Sequence, residues 1–166
     1  MNWGISTDTL LEVHVALSLI GIVTGLIMLY GLVTGTYFRS WTMLFLITTI
    51  LTSVTGFPLP PFGFDPPRAV GVLSLVLLAL AVVGLVFRLA GPWRWIYIVT
   101  ATAALYLNCF VGVIQAFSKI PFLKQLAPTQ SEPPFLIAQI VVLLILIAAG
   151  ILAVIRFHPT PKSSHP

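Results

Sequence analysis

The stretch YIVTATAALYLNCFVGVIQAFSKIPFLKQLAPTQSEPPF, Tyr97 to Phe135, joins an apolar run long enough to cross a bilayer to a polar, proline-rich loop. A helical crossing takes about 20 apolar residues. Within the run Tyr97, Ala101, Ala104, Asn108, Gly112, Gln115 and Lys119 recur at spacings of four and three, so on an α-helix they line one face. This span and the loop after it are expected to build one wall of a site opening outside the cell. In the loop, Lys119 to Leu126 predicts a short interfacial helix with Pro121 in its first turn and Ile120, Leu123 and Leu126 facing lipid.

The composition generalises this reading to the whole chain. Of 166 residues, 58% are hydrophobic and 7% charged, against roughly 25% charged in soluble domains. The expected fold is an all-α integral membrane protein, a five-transmembrane-helix bundle with spans at about 10–32, 41–57, 69–87, 95–117 and 135–157. These form a single domain over 1–157, and residues 158–166, HPTPKSSHP, are expected to make a disordered cytoplasmic tail. The net charge of +4 is scattered singly over loops, with no basic run, so nucleic-acid binding is excluded. Cys109 is the sole cysteine and sits mid-span, which excludes an internal disulfide and a CxxC motif. The first fourteen residues contain no Lys or Arg, so a cleavable signal is not expected and the first span stays in the protein.

Within span one, Thr9 and Glu12 have capping-box spacing. His14, Ser18, Gly21 and Gly25 share a face, and the GxxxG of Gly21 and Gly25 lets a neighbouring helix come close, which turns His14 toward protein. Span two carries Thr42, Thr48, Thr49, Thr52, Ser53 and Thr55, side chains that bond a carbonyl one turn back and bury cheaply. The following loop, GFPLPPFGFDPPR, is stiffened by prolines, with Asp65 expected to cap span three. Span three is almost wholly aliphatic, and span five has Gln139 as its one strongly polar residue.

Five spans place the termini on opposite sides. Arg39, Arg88, Arg94, Arg156 and Lys162 fall on one side and Arg68, Lys119 and Lys124 on the other, so the first is read as cytoplasmic. The N-terminus is then outside, the C-terminus cytoplasmic, and the location the plasma (inner) membrane. With depth assigned in this way, His14, Gln115 and Gln139 lie about one turn below the outer surface, Ser18 and Thr52 in the outer half and Asn108 near the middle. The expected ligand-binding cluster is His14, Ser18, Thr52, Asn108, Gln115 and Gln139, roofed by Lys119 and Glu132 of the loop.

No catalytic residue or metal-ligand set is expected. No Asp, Glu, Lys or Arg lies deep in a span to relay protons, and neither a Ser-His-Asp arrangement nor HExxH is present. His14 and His158 stand about 30 Å apart in depth and cannot share one haem. Three functions fit these residues. The first is a non-enzymatic accessory or structural subunit of a larger membrane complex, held to the lipid bilayer and to a protein partner or a second copy. The second is a small-molecule binding or transport protein with its pocket open to the extracytoplasmic side. The third is a redox subunit in which His14 bonds a quinone or ligates a single haem.

Overall fold

A computed structural model describes residues 6–59 and 66–159. Over these residues the chain forms α1 (Thr7–Val33), α2 (Arg39–Gly56), α3 (Pro66–Val86), α4 (Trp93–Lys119), the short α5 (Pro121–Leu126) and α6 (Pro133–Arg156), with no strand among them. Four of these, α1, α3, α4 and α6, are long and apolar enough to cross a membrane. The remaining long helix, α2, has 18 residues, but Arg39 and five threonines make it less apolar than the other four. The proposed cap Asp65 and the tail residues Lys162 and His165 lie outside the described residues.

Helical hydrogen bonding begins in the polar flanks, so each long helix starts two or three residues before the span read from hydropathy, while α2, α3 and α6 end one residue short of it. The start of α1 shows why the expected Thr9–Glu12 capping box does not form. Ser6 is the N-cap instead, its Oγ accepting from the Thr9 amide at 3.1 Å and contacting Thr9 Oγ1 at 2.8 Å. The cap satisfies the free first-turn amides three residues earlier than expected, and Asp8 adds a charge that suits the positive end of the helix dipole. Glu12 is thereby left exposed on the second turn.

Helix α4 is the centre of the bundle. In its most apolar 18-residue window 44% of residues are buried inside the protein, against 22% for α3 and 17% for α6. One face, Tyr97, Ala101, Ala104 and Asn108, packs inward, and the opposite face, Val99, Thr102, Ala103 and Tyr106, looks toward α6. Helices α1 and α2 form an antiparallel pair, since Met28 and Thr42 meet Tyr97 at one end and His14 meets Thr55 at the other. The GxxxG of α1 permits this closeness: a Cβ on Gly25 would stand 2.6 Å from Leu105 Cδ1 and 2.8 Å from Phe45 Cδ2. The core that results holds Met28, Leu32, Phe45, Leu78, Tyr97 and Leu105.

Two arginines close helix ends that packing alone leaves open. The last carbonyls of a helix have no partner within it. Arg94 Nη1 donates to Val154 O at 2.7 Å and Phe157 O at 2.6 Å, capping α6, while Arg68 Nη2 donates to Phe57 O and Leu59 O just past α2. Each guanidinium also stands at the negative end of a helix dipole.

The expected interfacial helix is present as α5, with one face corrected. Ile120, Phe122 and Leu126 are exposed, whereas Leu123 turns inward against a second apolar cluster of Phe117, Ala127 and Phe135. The edge-on contact of Phe117 with Phe135, centroids 5.4 Å apart, holds the loop over the ends of α4 and α6 and draws Leu123 with it.

Candidate functional site between α1, α2 and α4

The polar residues of the expected cluster separate into three groups. The first lies where α1 crosses α2 and α4. His14 Nδ1 and Thr55 Oγ1 are 3.1 Å apart, and the ring stands 3.3 Å from where a Gly56 Cβ would be. Thr55 Oγ1 has a single proton and gives it to Leu51 O at 2.8 Å, with Thr52 O at 3.2 Å. His14 Nδ1 therefore donates to Thr55, which leaves the Nε2 lone pair as the imidazole's acceptor.

One turn deeper, Ser18 Oγ donates to Asn108 Oδ1 at 3.0 Å, and Asn108 Nδ2 points back at Ser18 O at 3.5 Å. Gly21 makes this pairing possible, because a Cβ there would stand 2.9 Å from Asn108 Nδ2 and 3.0 Å from Thr49 Oγ1. Asn108 and Thr49 are both buried, and the Thr49 hydroxyl has no hydrogen-bond partner. Thr52 is buried beside them with its hydroxyl on Thr48 O at 2.8 Å. His14, Ser18, Thr52 and Asn108 thus come together, and Thr49, expected to bond a carbonyl one turn back, joins them with its hydroxyl unpaired.

Gln139 stands on the other side of α4. Its Nε2 donates to Phe110 O at 3.2 Å, and Oε1 is buried without a partner. At 100° per residue, Phe110 is about 200° round the helix from Asn108. Equal depth therefore did not bring Gln139 to His14.

Gln115 and Lys119 form the third group, and both are exposed. Lys119 borders a groove with Leu11, Glu12, Val15, Ala16 and Leu19 of α1. Glu132 is half-buried and closes its own turn, Oε1 accepting from the Thr129 amide at 3.1 Å and the Thr129 hydroxyl at 2.8 Å, and Oε2 from the Ser131 amide at 3.1 Å. Desolvation alone would raise the Glu132 carboxyl, and these hydrogen bonds from Thr129 and Ser131 outweigh it and hold the group below its ordinary pKa. The same loop is tied to α4 by Gln130, whose Nε2 donates to Ser118 Oγ at 2.6 Å and Ile114 O at 3.1 Å.

A cleft of about 390 Å³ lies elsewhere, between α4 and α6, walled by residues such as Val99, Tyr106, Leu146 and Ile151. Its floor is Thr102 against Gly150, where a glycine Cβ would stand 3.3 Å from Thr102 Cγ2. The cleft is almost wholly apolar and offers no converging polar set, so it fits aliphatic chains of the bilayer more readily than a polar ligand.

The arrangement can join helices by hydrogen bonds and hold one imidazole acceptor in a fixed orientation. Compared with known protein families, curated proteins and solved structures, the chain matches none.

Proposed function

We propose that this chain is a five-span, multi-pass protein of the plasma (inner) membrane, N-terminus outside and C-terminus cytoplasmic, acting as a non-enzymatic accessory subunit of a larger membrane complex. α2 is the fifth span. Its 18 residues extend about 27 Å, close to the hydrocarbon thickness of about 30 Å. Its hydroxyls are cheap to hold in lipid, since Thr48, Thr52, Ser53 and Thr55 each bond the carbonyl one turn back.

The observation that carries the reading is the use to which the polar residues are put. His14 with Thr55, Ser18 with Asn108 and Gln139 with the Phe110 carbonyl each tie one helix to another. Such bonds are interhelical glue worth about 0.6 kcal/mol each in membrane bundles. A subunit whose polar groups are spent on its own packing meets partners through its apolar exterior. Extraction of native membranes into nanodiscs tests this by particle mass. The chain is expected in a larger assembly of fixed stoichiometry; isolation only as a monomer carrying a stoichiometric small molecule would overturn it.

One observation favours a second reading, a quinone- or haem-binding redox subunit. A histidine held by a hydrogen bond from one ring nitrogen to an oxygen is oriented as a ligand is, and the His14 ring is oriented in this way by Thr55. Purified protein with a Soret band that is lost on His14→Gln would establish this alternative.

A further inference from the structure

The groove beside Lys119 is not used by the bundle's packing. It measures about 400 Å³ and runs along α1 past Leu11, Val15, Ala16 and Leu19, with Glu12 and Lys119 as its charged residues. Among the described residues neither Glu12 nor Lys119 has a hydrogen-bond or ion-pair partner, and both are exposed. His14 is turned to Thr55.

We propose that this groove binds one phospholipid with a primary-ammonium headgroup, the phosphatidylethanolamine class. The phosphate takes Lys119, the ammonium takes Glu12, and an acyl chain lies on Val15, Ala16 and Leu19. Three observations support that occupant. The two charges are opposite in sign and face one groove unpaired, which complements a zwitterion. They stand at the polar end of the bundle, one turn or two from the first residue of α1 and at the last residue of α4, where headgroups reside. Beyond Glu12 the wall is formed by the apolar Val15, Ala16 and Leu19, about 10 Å into the hydrocarbon. A headgroup lacking the cation leaves Glu12 unpaired, a trimethylated one offers it no N–H, and one with an added carboxylate repels it. The inference is independent of whether the chain is an accessory subunit, since it concerns a lipid and a face of α1.

Native mass spectrometry of the full chain, released from vesicles containing equal parts phosphatidylethanolamine, phosphatidylcholine and phosphatidylglycerol, tests it. The expected result is one retained lipid, enriched about fivefold in phosphatidylethanolamine. Lys119→Met should cut retention of all three about fivefold, and Glu12→Gln should erase the preference while leaving retention by Lys119. Equal retention of the three lipids by the unmodified chain would overturn the proposal, as would a preference that Glu12→Gln does not move. A second copy of the chain seated on the groove, seen as a lipid-free dimer, would overturn it also. The competition among lipids on the unmodified protein decides the matter even if a variant fails to fold.

Discussion

Gly25 shows how tightly one residue can constrain this bundle. Its missing Cβ leaves room for Leu105 and Phe45, both wholly buried, at distances of 2.6 and 2.8 Å from where that atom would stand. Both side chains belong to the core, so making room for the added atom shifts packed neighbours. Gly25→Ala is expected to lower unfolding stability in detergent by about 1–3 kcal/mol, the usual cost of overpacking, measured by denaturant titration. Gly56→Ala, whose Cβ would meet only the His14 ring edge at 3.3 Å, should cost less. Glu132 makes a prediction of pH dependence. Its folded carboxyl is held below its ordinary value of 4.5, so its stabilisation of the turn is complete above 4.5 and is lost as pH falls through the lowered folded value. Amide exchange at Thr129 and Ser131 should therefore stay slow at pH 5 and quicken only in stronger acid. Exchange that quickens already near pH 5 would refute the hydrogen-bonded geometry.

At the scale of elements, Arg94 illustrates how the first turn of α4 serves the far end of another helix. It donates to two carbonyls at the end of α6, Val154 and Phe157. Arg94→Gln shortens the reach and removes the charge. The expected effect is a loss of about 1.5–3 kcal/mol, the range for hydrogen bonds to a charged group, with fraying of α6 from Ala153 onward. Hydrogen exchange should localise the change to that last turn. A uniform loss across α6 would mean that Arg94 acts on packing and not as a cap.

At the scale of the molecule, the test of topology is whether α2 crosses. With α2 spanning, reporters fused at the two termini lie on opposite faces; with four spans they lie on the same face. A C-terminal fluorescent fusion is expected to light up in the cytoplasm, and a C-terminal alkaline phosphatase fusion to be inactive, with the opposite result for reporters placed before Ser6. Active phosphatase at both termini would exclude five spans. The antiparallel run of α2 beside α1, from Thr42 near Met28 to Thr55 at His14, is the physical reason to expect the crossing.

Sequence by itself determined that the chain is helical and apolar enough for a membrane, and it determined the azimuth of most side chains. Tyr97, Ala101, Ala104 and Asn108 were legible as an inward face because the period of a helix is a local property. Hydropathy placed all five long helices within a few residues, missing mainly at ends such as Ser6, where a cap and not hydrophobicity sets the start. Tertiary structure alone decided what stands opposite each face. Gln115 and Lys119 share the azimuth of Asn108 yet are exposed, and Lys119 borders a groove along α1 at that end. Gln139 shares the depth of His14 yet bonds the far side of α4. Periodicity fixes direction around one axis and depth along it, whereas a site requires neighbouring axes to converge, and the packing of Gly21 and Gly25 against α2 and α4 is what brings His14, Ser18 and Asn108 together.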